Sequence, residues 1–165
     1  MLKKRILVVA GGTGGHIFPA VALASELVKL GANVVLIGRD NSLEQEVALR
    51  YKFSFESIKA GQFVGKGFIE MLKSLVATIR GVLMSLRIIE RVNPFAVVAC
   101  GGFVSAPVLL ACLVKRKRFF LLEQNVIPGR VTRFFAPYAQ ETFLTFPLAI
   151  KIRGNFSVTG TPLRE

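Results

Sequence analysis

Short, nearly unbroken apolar runs alternate along the chain with stretches in which apolar residues recur every three or four positions. The strand-like runs are Arg5–Ala10, Asn33–Ile37, Phe53–Lys59, Phe95–Cys100, Phe119–Leu122 and Glu141–Thr145. Helical periodicity occupies about 17–30, 42–51, 68–92, 105–115 and 128–138. Unbroken apolar strands separated by helices predict a parallel sheet covered on both faces. Helical returns of this kind make right-handed crossovers. The expected fold is α/β, a doubly wound, mainly parallel sheet, with residues 1–165 as one domain and no repeat, low-complexity tract or interdomain linker inside it.

That expectation localises function, because such sheets bind ligands beyond the carboxyl ends of their strands, where the strand order reverses. The segments leaving those ends are Gly11–His16, Gly38–Ser42, Ala60–Gly67, Gly101–Ser105 and Glu123–Gly129. In Gly11-Gly12-Thr13-Gly14-Gly15-His16, four glycines let the backbone turn sharply and bring N–H groups close to a ligand. The helix that follows offers free donors and partial positive charge to an anion. The spacing is neither G-x-G-x-x-G nor a Walker A loop; the plainer reading is a tight, closely packed turn. His16, the only histidine, is either a helix-start structural residue or a general base or donor. A second turn, Gly101-Gly102-Phe103-Val104-Ser105, repeats the arrangement, with Ser105 as the expected N-cap. Glu123-Gln124-Asn125 places three hydrogen-bonding side chains where an apolar strand stops, a binding rim or a surface loop.

Composition narrows the partners. Apolar residues make up 52% of the chain, yet its net charge is +12, which excludes a disordered basic tail and calls for an anionic partner. Ten basic and two acidic residues lie between Lys59 and Arg118, two-thirds of that net charge. Lys73, Arg80 and Arg87 recur every seventh residue beside Leu72, Leu75, Val76, Ile79 and Leu83, and Lys115-Arg116-Lys117-Arg118 forms a cluster. A helix of this pattern suits an anionic membrane surface or is a core helix with a solvated basic edge. Nucleic acid is not expected, because no interleaved aromatics or known binding motif accompany the cluster. The uncharged run Val92–Val114 contains Asn93, Pro94, Gly101, Gly102, Ser105 and Pro107, so it reads as strand, turn and helix rather than a membrane span. Lys3-Lys4-Arg5 before Ile6–Ala10 does not make a signal peptide, since the apolar run breaks at once into glycine. Cys100 and Cys112 read as buried free thiols. With Asp40 the only aspartate and no Cys/His cluster, neither a metal nor a cofactor is expected.

Val8–Ala24, VVAGGTGGHIFPAVALA, resembles the opening of the MurG family, the N-acetylglucosaminyltransferases of bacterial peptidoglycan synthesis. So do Gly65-Lys66-Gly67, the Gly-Gly-Phe-Val-Ser-Ala-Pro turn, Glu123-Gln124-Asn125 and Val158-Thr159-Gly160-Thr161-Pro162-Leu163-Arg164, in family order. The resemblance implies the N-terminal, acceptor-side, Rossmann-like half of an inverting GT-B glycosyltransferase on the cytoplasmic face of the bacterial plasma membrane. Such an enzyme transfers N-acetylglucosamine from UDP-GlcNAc to the C4 hydroxyl of lipid I, giving lipid II. It further implies donor contacts at Thr13, Gly14, Gly15, Asn125 and Arg164, and acceptor or diphosphate contacts at Gly11, Gly12, Gly101, Gly102, Phe103, Ser105 and Gln124. His16 and Glu123 fall at positions implied to act in acceptor binding or base catalysis. Phe103 replaces the usual Tyr, Leu122 the usual His and Thr161 the usual Asn. Past Glu165 the family enters its donor-binding C-terminal domain, so the expectation is a half enzyme needing a complementing domain or subunit. Two other readings stay open, a non-catalytic membrane-binding module and a nucleic-acid-binding α/β module.

Overall fold

The computed structural model describes residues 4–61 and 67–162. Its strands are β1 (Arg5–Val9), β2 (Asn33–Gly38), β3 (Ser54–Ser57), β4 (Ala96–Ala99), β5 (Phe119–Glu123), β6 (Thr142–Leu144) and β7 (Phe156–Val158). The α-helices are α1 (Gly14–Lys29), α2 (Leu43–Arg50), α3 (Phe68–Val92), α4 (Ser105–Val114) and α5 (Arg130–Phe135). All neighbouring strands pair in parallel in the order β3-β2-β1-β4-β5-β6-β7. The order reverses between β1 and β4, which makes their carboxyl ends the topological switch point.

Strand alternation sorts the core onto two faces. Leu7 and Val9 of β1 join Val97, Ala99 and Leu121 under α3, α4 and α5. Val8 points the other way, into a cluster with Val34, Leu36 and residues of α1 and α2. On that second face α1 and α2 leave Val98, Phe120 and Phe143 only partly covered; with Phe95, Leu23 and Leu27 they line an apolar cavity of about 490 Å³.

Several boundaries differ from the sequence expectation. α1 begins at Gly14, so two of the loop glycines lie in its first turn, with Thr13 as N-cap. Pro19 inside α1 has no N–H to give the carbonyl of Gly15; the start of the helix is held instead by the His16 and Ile17 amides on the Thr13 carbonyl. Ser105 is not the N-cap of α4. Val104 is, and the Ser105 hydroxyl donates back to the Gly101 carbonyl at 2.8 Å. The strand expected over Phe53–Lys59 is only Ser54–Ser57, and 128–138 divides into α5 and a 3₁₀ turn at Ala136–Tyr138. β7 was not expected: three residues at a sheet edge are too short for a periodic signal. Among the described residues no helix is long and apolar enough to cross a membrane; the uncharged run at 92–114 becomes β4 and α4, as expected.

Candidate active site at the strand switch point

Register brings the predicted turns together. Val9 pairs with Ala99, so both glycine turns leave the sheet side by side at the switch point. Ala99 pairs with Leu121, so Gly101 and Glu123 emerge at one level. His16, Gly101, Gly102, Phe103, Glu123 and Asn125 line a pocket of about 440 Å³ with Gly61, Thr78 of α3 and Arg130 of α5.

The two glycine turns are in direct backbone contact. Gly101 and Gly102 have φ of +96° and +80°, left-handed conformations that side chains disfavour. A Cβ at Gly101 would meet His16 Nδ1 at 2.6 Å, so the bare glycine makes room for the imidazole. His16 Nδ1 lies 3.1 Å from Gln124 Oε1, and Gln124 Nε2 donates to the Cys100 carbonyl at 3.3 Å.

Glu123 is 2% exposed. Its Oε1 accepts from the Asn125 amide at 3.0 Å and from Asn125 Nδ2 at 2.8 Å. Oε2 accepts from the Gly129 amide at 3.0 Å. Both oxygens therefore hold the rim loop in shape, and the Asn125 side-chain carbonyl is left turned away from the carboxylate. Ser105 is fully buried and Gln124 half-buried, its amide spent on His16 and Cys100.

Two neighbouring side chains were not singled out in the sequence. Glu44, at the start of α2, is buried and accepts from the Gly12 amide at 2.9 Å, so that donor of the glycine loop already has a partner. Arg39 places its guanidinium 5.1 Å from the Phe103 ring centroid, with Nε 3.7 Å from Glu44 Oε1 and no hydrogen bond to that buried nitrogen. Cation–π attraction to Phe103 and the Glu44 charge hold this arginine at the mouth of the crevice. These contacts join residues far apart in the chain, which no local spacing reveals. Arg164, Gly65 and Lys66 lie outside the described residues.

On its outer side α3 exposes Leu72, Leu75, Val76, Ile79 and Leu83, each between 42% and 54%. A groove of about 690 Å³ runs there, lined by Leu72, Val76 and Leu83 and by Lys59, Lys73, Arg80 and Arg87. Thr78 and Ala77, adjacent on this helix, line the pocket and the groove respectively. One helix thus separates the two. Lys73 pairs with Glu70 at 2.7 Å. The Lys115–Arg118 cluster is placed elsewhere, between α4 and β5 at the amino end of the strands; Lys115 pairs with Glu90, and Lys117 donates to Asn93 Oδ1 at 2.6 Å. Among the described residues no group of His, Cys, Asp and Glu could hold a metal ion. Both cysteines are free and buried; burial pushes each thiol up to about 12, against a smaller lowering of Cys112 by Lys117.

A parallel sheet with paired glycine turns, a histidine and a polar rim at its switch point gives a Rossmann-like domain of the kind found in GT-B glycosyltransferases. The chain belongs to glycosyltransferase family 28: the family's N-terminal domain matches residues 6–144. It is 34% identical over 98% of its length to a Halothermothrix orenii protein named UDP-N-acetylglucosamine--N-acetylmuramyl-(pentapeptide) pyrophosphoryl-undecaprenol N-acetylglucosamine transferase, covering 45% of that protein. The protein of the same name from Nitrosococcus oceani is 37% identical over 98% of the chain, again with 45% of the relative covered. The chain thus spans about half the length of the curated relatives it matches. In fold it is similar to Acinetobacter baumannii MurG, with a TM-score of 0.83 and 24% identity over 98% of this chain and 47% of that one. The glycotransferase of kitacinnamycin matches at a TM-score of 0.74 and 12% identity over 99% and 52% of the two chains.

Proposed function

We propose that the chain is the acceptor-side half of an inverting transferase that moves N-acetylglucosamine from UDP-GlcNAc to the C4 hydroxyl of lipid I, forming lipid II. The observation that carries this reading is the placing of His16 at the switch-point pocket, one helix away from an apolar groove rimmed by four cations. A lipid-linked diphosphate sugar has the matching parts: an apolar tail and a phosphate-rich head for the α3 surface and crevice, and a sugar hydroxyl for the histidine. The relatives' names specify the same donor and acceptor.

In the proposed step the C4 oxygen bonds to the anomeric carbon of N-acetylglucosamine from the face opposite UDP. Its proton passes to His16 Nε2, and the bond from the anomeric carbon to the diphosphate oxygen breaks, UDP leaving with the electron pair. Thr13 and the Gly14 and Gly15 amides, at the start of α1, face the developing negative charge. Asn125 contacts a sugar through its side-chain carbonyl. Glu123 acts by fixing that loop, and Gly101, Gly102 and Phe103 form the acceptor wall with Arg39 behind them. Arg164 belongs with the donor contacts. Most uridine contacts fall to a complementing C-terminal domain, and the chain works peripherally on the cytoplasmic face of the plasma membrane.

The test mixes this chain with a separately folded C-terminal half from a relative, labelled UDP-GlcNAc and lipid I in anionic vesicles. Labelled lipid II is expected, with His16→Ala lowering the rate on the order of 100-fold and leaving vesicle binding intact. Transfer that is indifferent to His16→Ala removes catalysis from this half and leaves the second reading, a membrane-recruiting module, which the α3 groove favours.

A further inference from the structure

We propose that Gln124 is a positioning residue that holds neutral His16 in the Nδ1–H tautomer and so presents a bare Nε2 as the basic atom. The inference rests on the reading of His16 as general base, although its physical core stands on hydrogen-bond chemistry alone.

The Cys100 carbonyl can only accept, so the Gln124 group 3.3 Å from it is the amide –NH₂. The opposite amide orientation would set two acceptors against each other. With –NH₂ so placed, Oε1 is the atom facing His16 Nδ1 at 3.1 Å. An amide oxygen has no proton to offer, so Nδ1 must carry one. A neutral imidazole has a single N–H, which leaves Nε2 with its lone pair exposed. Among the described residues Nε2 has no protein partner.

Three further features make this a built arrangement. Cys100 is fully buried at the end of β4, so its carbonyl is a fixed reference. Gly101, with φ +96°, clears the Nδ1–Cε1 edge of the ring, which any Cβ there would strike. His16 occupies the first turn of α1, whose start is held by the Thr13 carbonyl. β4, β5 and α1 thus converge on one proton. When Nε2 takes up a second proton, the Nδ1–H bond to Gln124 persists, so the same contact serves both protonation states.

His16 is the only histidine in the chain, so its ring nitrogens can be read without assignment. Imidazole ¹⁵N spectra of the whole chain are recorded at pH about 8.5, above the ordinary histidine range. The expected result is a protonated, pyrrole-type Nδ1 and an unprotonated, pyridine-type Nε2. Gln124→Met, which keeps the unbranched shape and removes the acceptor, is expected to shift the ring to mostly Nε2–H. Gln124→Glu keeps an acceptor towards Nδ1, at the loss of the N–H donated to the Cys100 carbonyl, and is expected to keep Nδ1–H. In the complemented transfer reaction Gln124→Met should lower kcat by about 10–100-fold, a part of the roughly 10²–10⁴-fold that a positioned general base contributes, with KM little changed. A wild-type ring in the Nε2–H form, or a tautomer unmoved in Gln124→Met, overturns the proposal. If the tautomer behaves as expected while His16→Ala leaves transfer intact, it is the base assignment that fails. Should Gln124→Met not fold, the wild-type spectrum and Gln124→Glu still decide.

Discussion

A Cβ placed on Gly102 would lie 1.9 Å from the carbonyl oxygen of Gly11. The two glycine turns of the switch point are therefore packed backbone against backbone, and the pocket between β1, β4 and β5 depends on that contact. Gly102→Ala should cost more than about 2 kcal/mol, combining left-handed strain of roughly 1–2 kcal/mol with the clash. For a chain of this size that lowers Tm by about 4–8 °C. Gly31 has a similar φ of +88° but nothing within 4 Å. Thermal denaturation of Gly31→Ala should show the strain alone, and equal losses in the two variants would refute the packing account.

Glu123→Gln keeps the shape of the side chain and replaces one acceptor oxygen by a donor. All three groups on that carboxylate are N–H donors, so one of them meets another donor in a buried site. The expected loss is about 1–3 kcal/mol in urea unfolding, with faster hydrogen exchange at the Asn125 and Gly129 amides. A Gln variant with unchanged exchange at both would show that the carboxylate does not hold the rim.

The cysteines give a pH dependence. Their thiols are raised from 9.0 to about 12 in the folded chain, so above pH 9 the folded state binds more protons than the unfolded one. Their contribution is fully present below pH 9 and declines as pH rises from there towards about 12. Thiol-reactive dye should label native protein slowly at pH 8.5 and rapidly once urea unfolds it, because the thiolate is the reacting form. Fast native labelling would contradict the burial of Cys100 and Cys112.

Membrane affinity should reside in the outer face of α3. Ile79→Glu is expected to weaken binding to vesicles containing anionic lipid by roughly 10–100-fold, given about 1.5–3 kcal/mol for burying such a side chain. Arg80→Ala with Arg87→Ala should weaken it by about 1 kcal/mol for each charge. Lys115→Ala, whose charge is already paired with Glu90, should change it less than about twofold. Co-sedimentation measures all three, and equal effects would move the lipid contact away from the groove.

Much of this site is legible locally. Glycine clusters after apolar runs mark strand-to-helix turns, because few other residues tolerate φ near +90°, and they locate Gly12, Gly101 and Gly102 correctly. The α3 stripe follows from the seven-residue recurrence of Lys73, Arg80 and Arg87, and it lies exposed in the fold. Ser105 misleads, since a serine at a helix start has two local options, capping forward or bonding back to Gly101. Arg39 lies in Gly38–Ser42, a segment flagged at a strand end, but neither its contact nor that of Glu44 could be read, because each has a partner more than thirty residues away.

The sequence by itself determined the alternation of strands and helices from β1 to β6, where glycine frees the backbone, and which single imidazole is present. Those are consequences of periodicity and of each residue's own steric limits. The edge strand β7 and several element ends came only from the fold. The tertiary structure decided what each polar group is bonded to. Gln124 faces a backbone carbonyl, which leaves its oxygen for His16; Glu123 has both oxygens committed; and Gly12 has given its N–H to Glu44. A polar group inside a protein acts through whichever partners remain open to it, and only the packing of distant segments settles which those are.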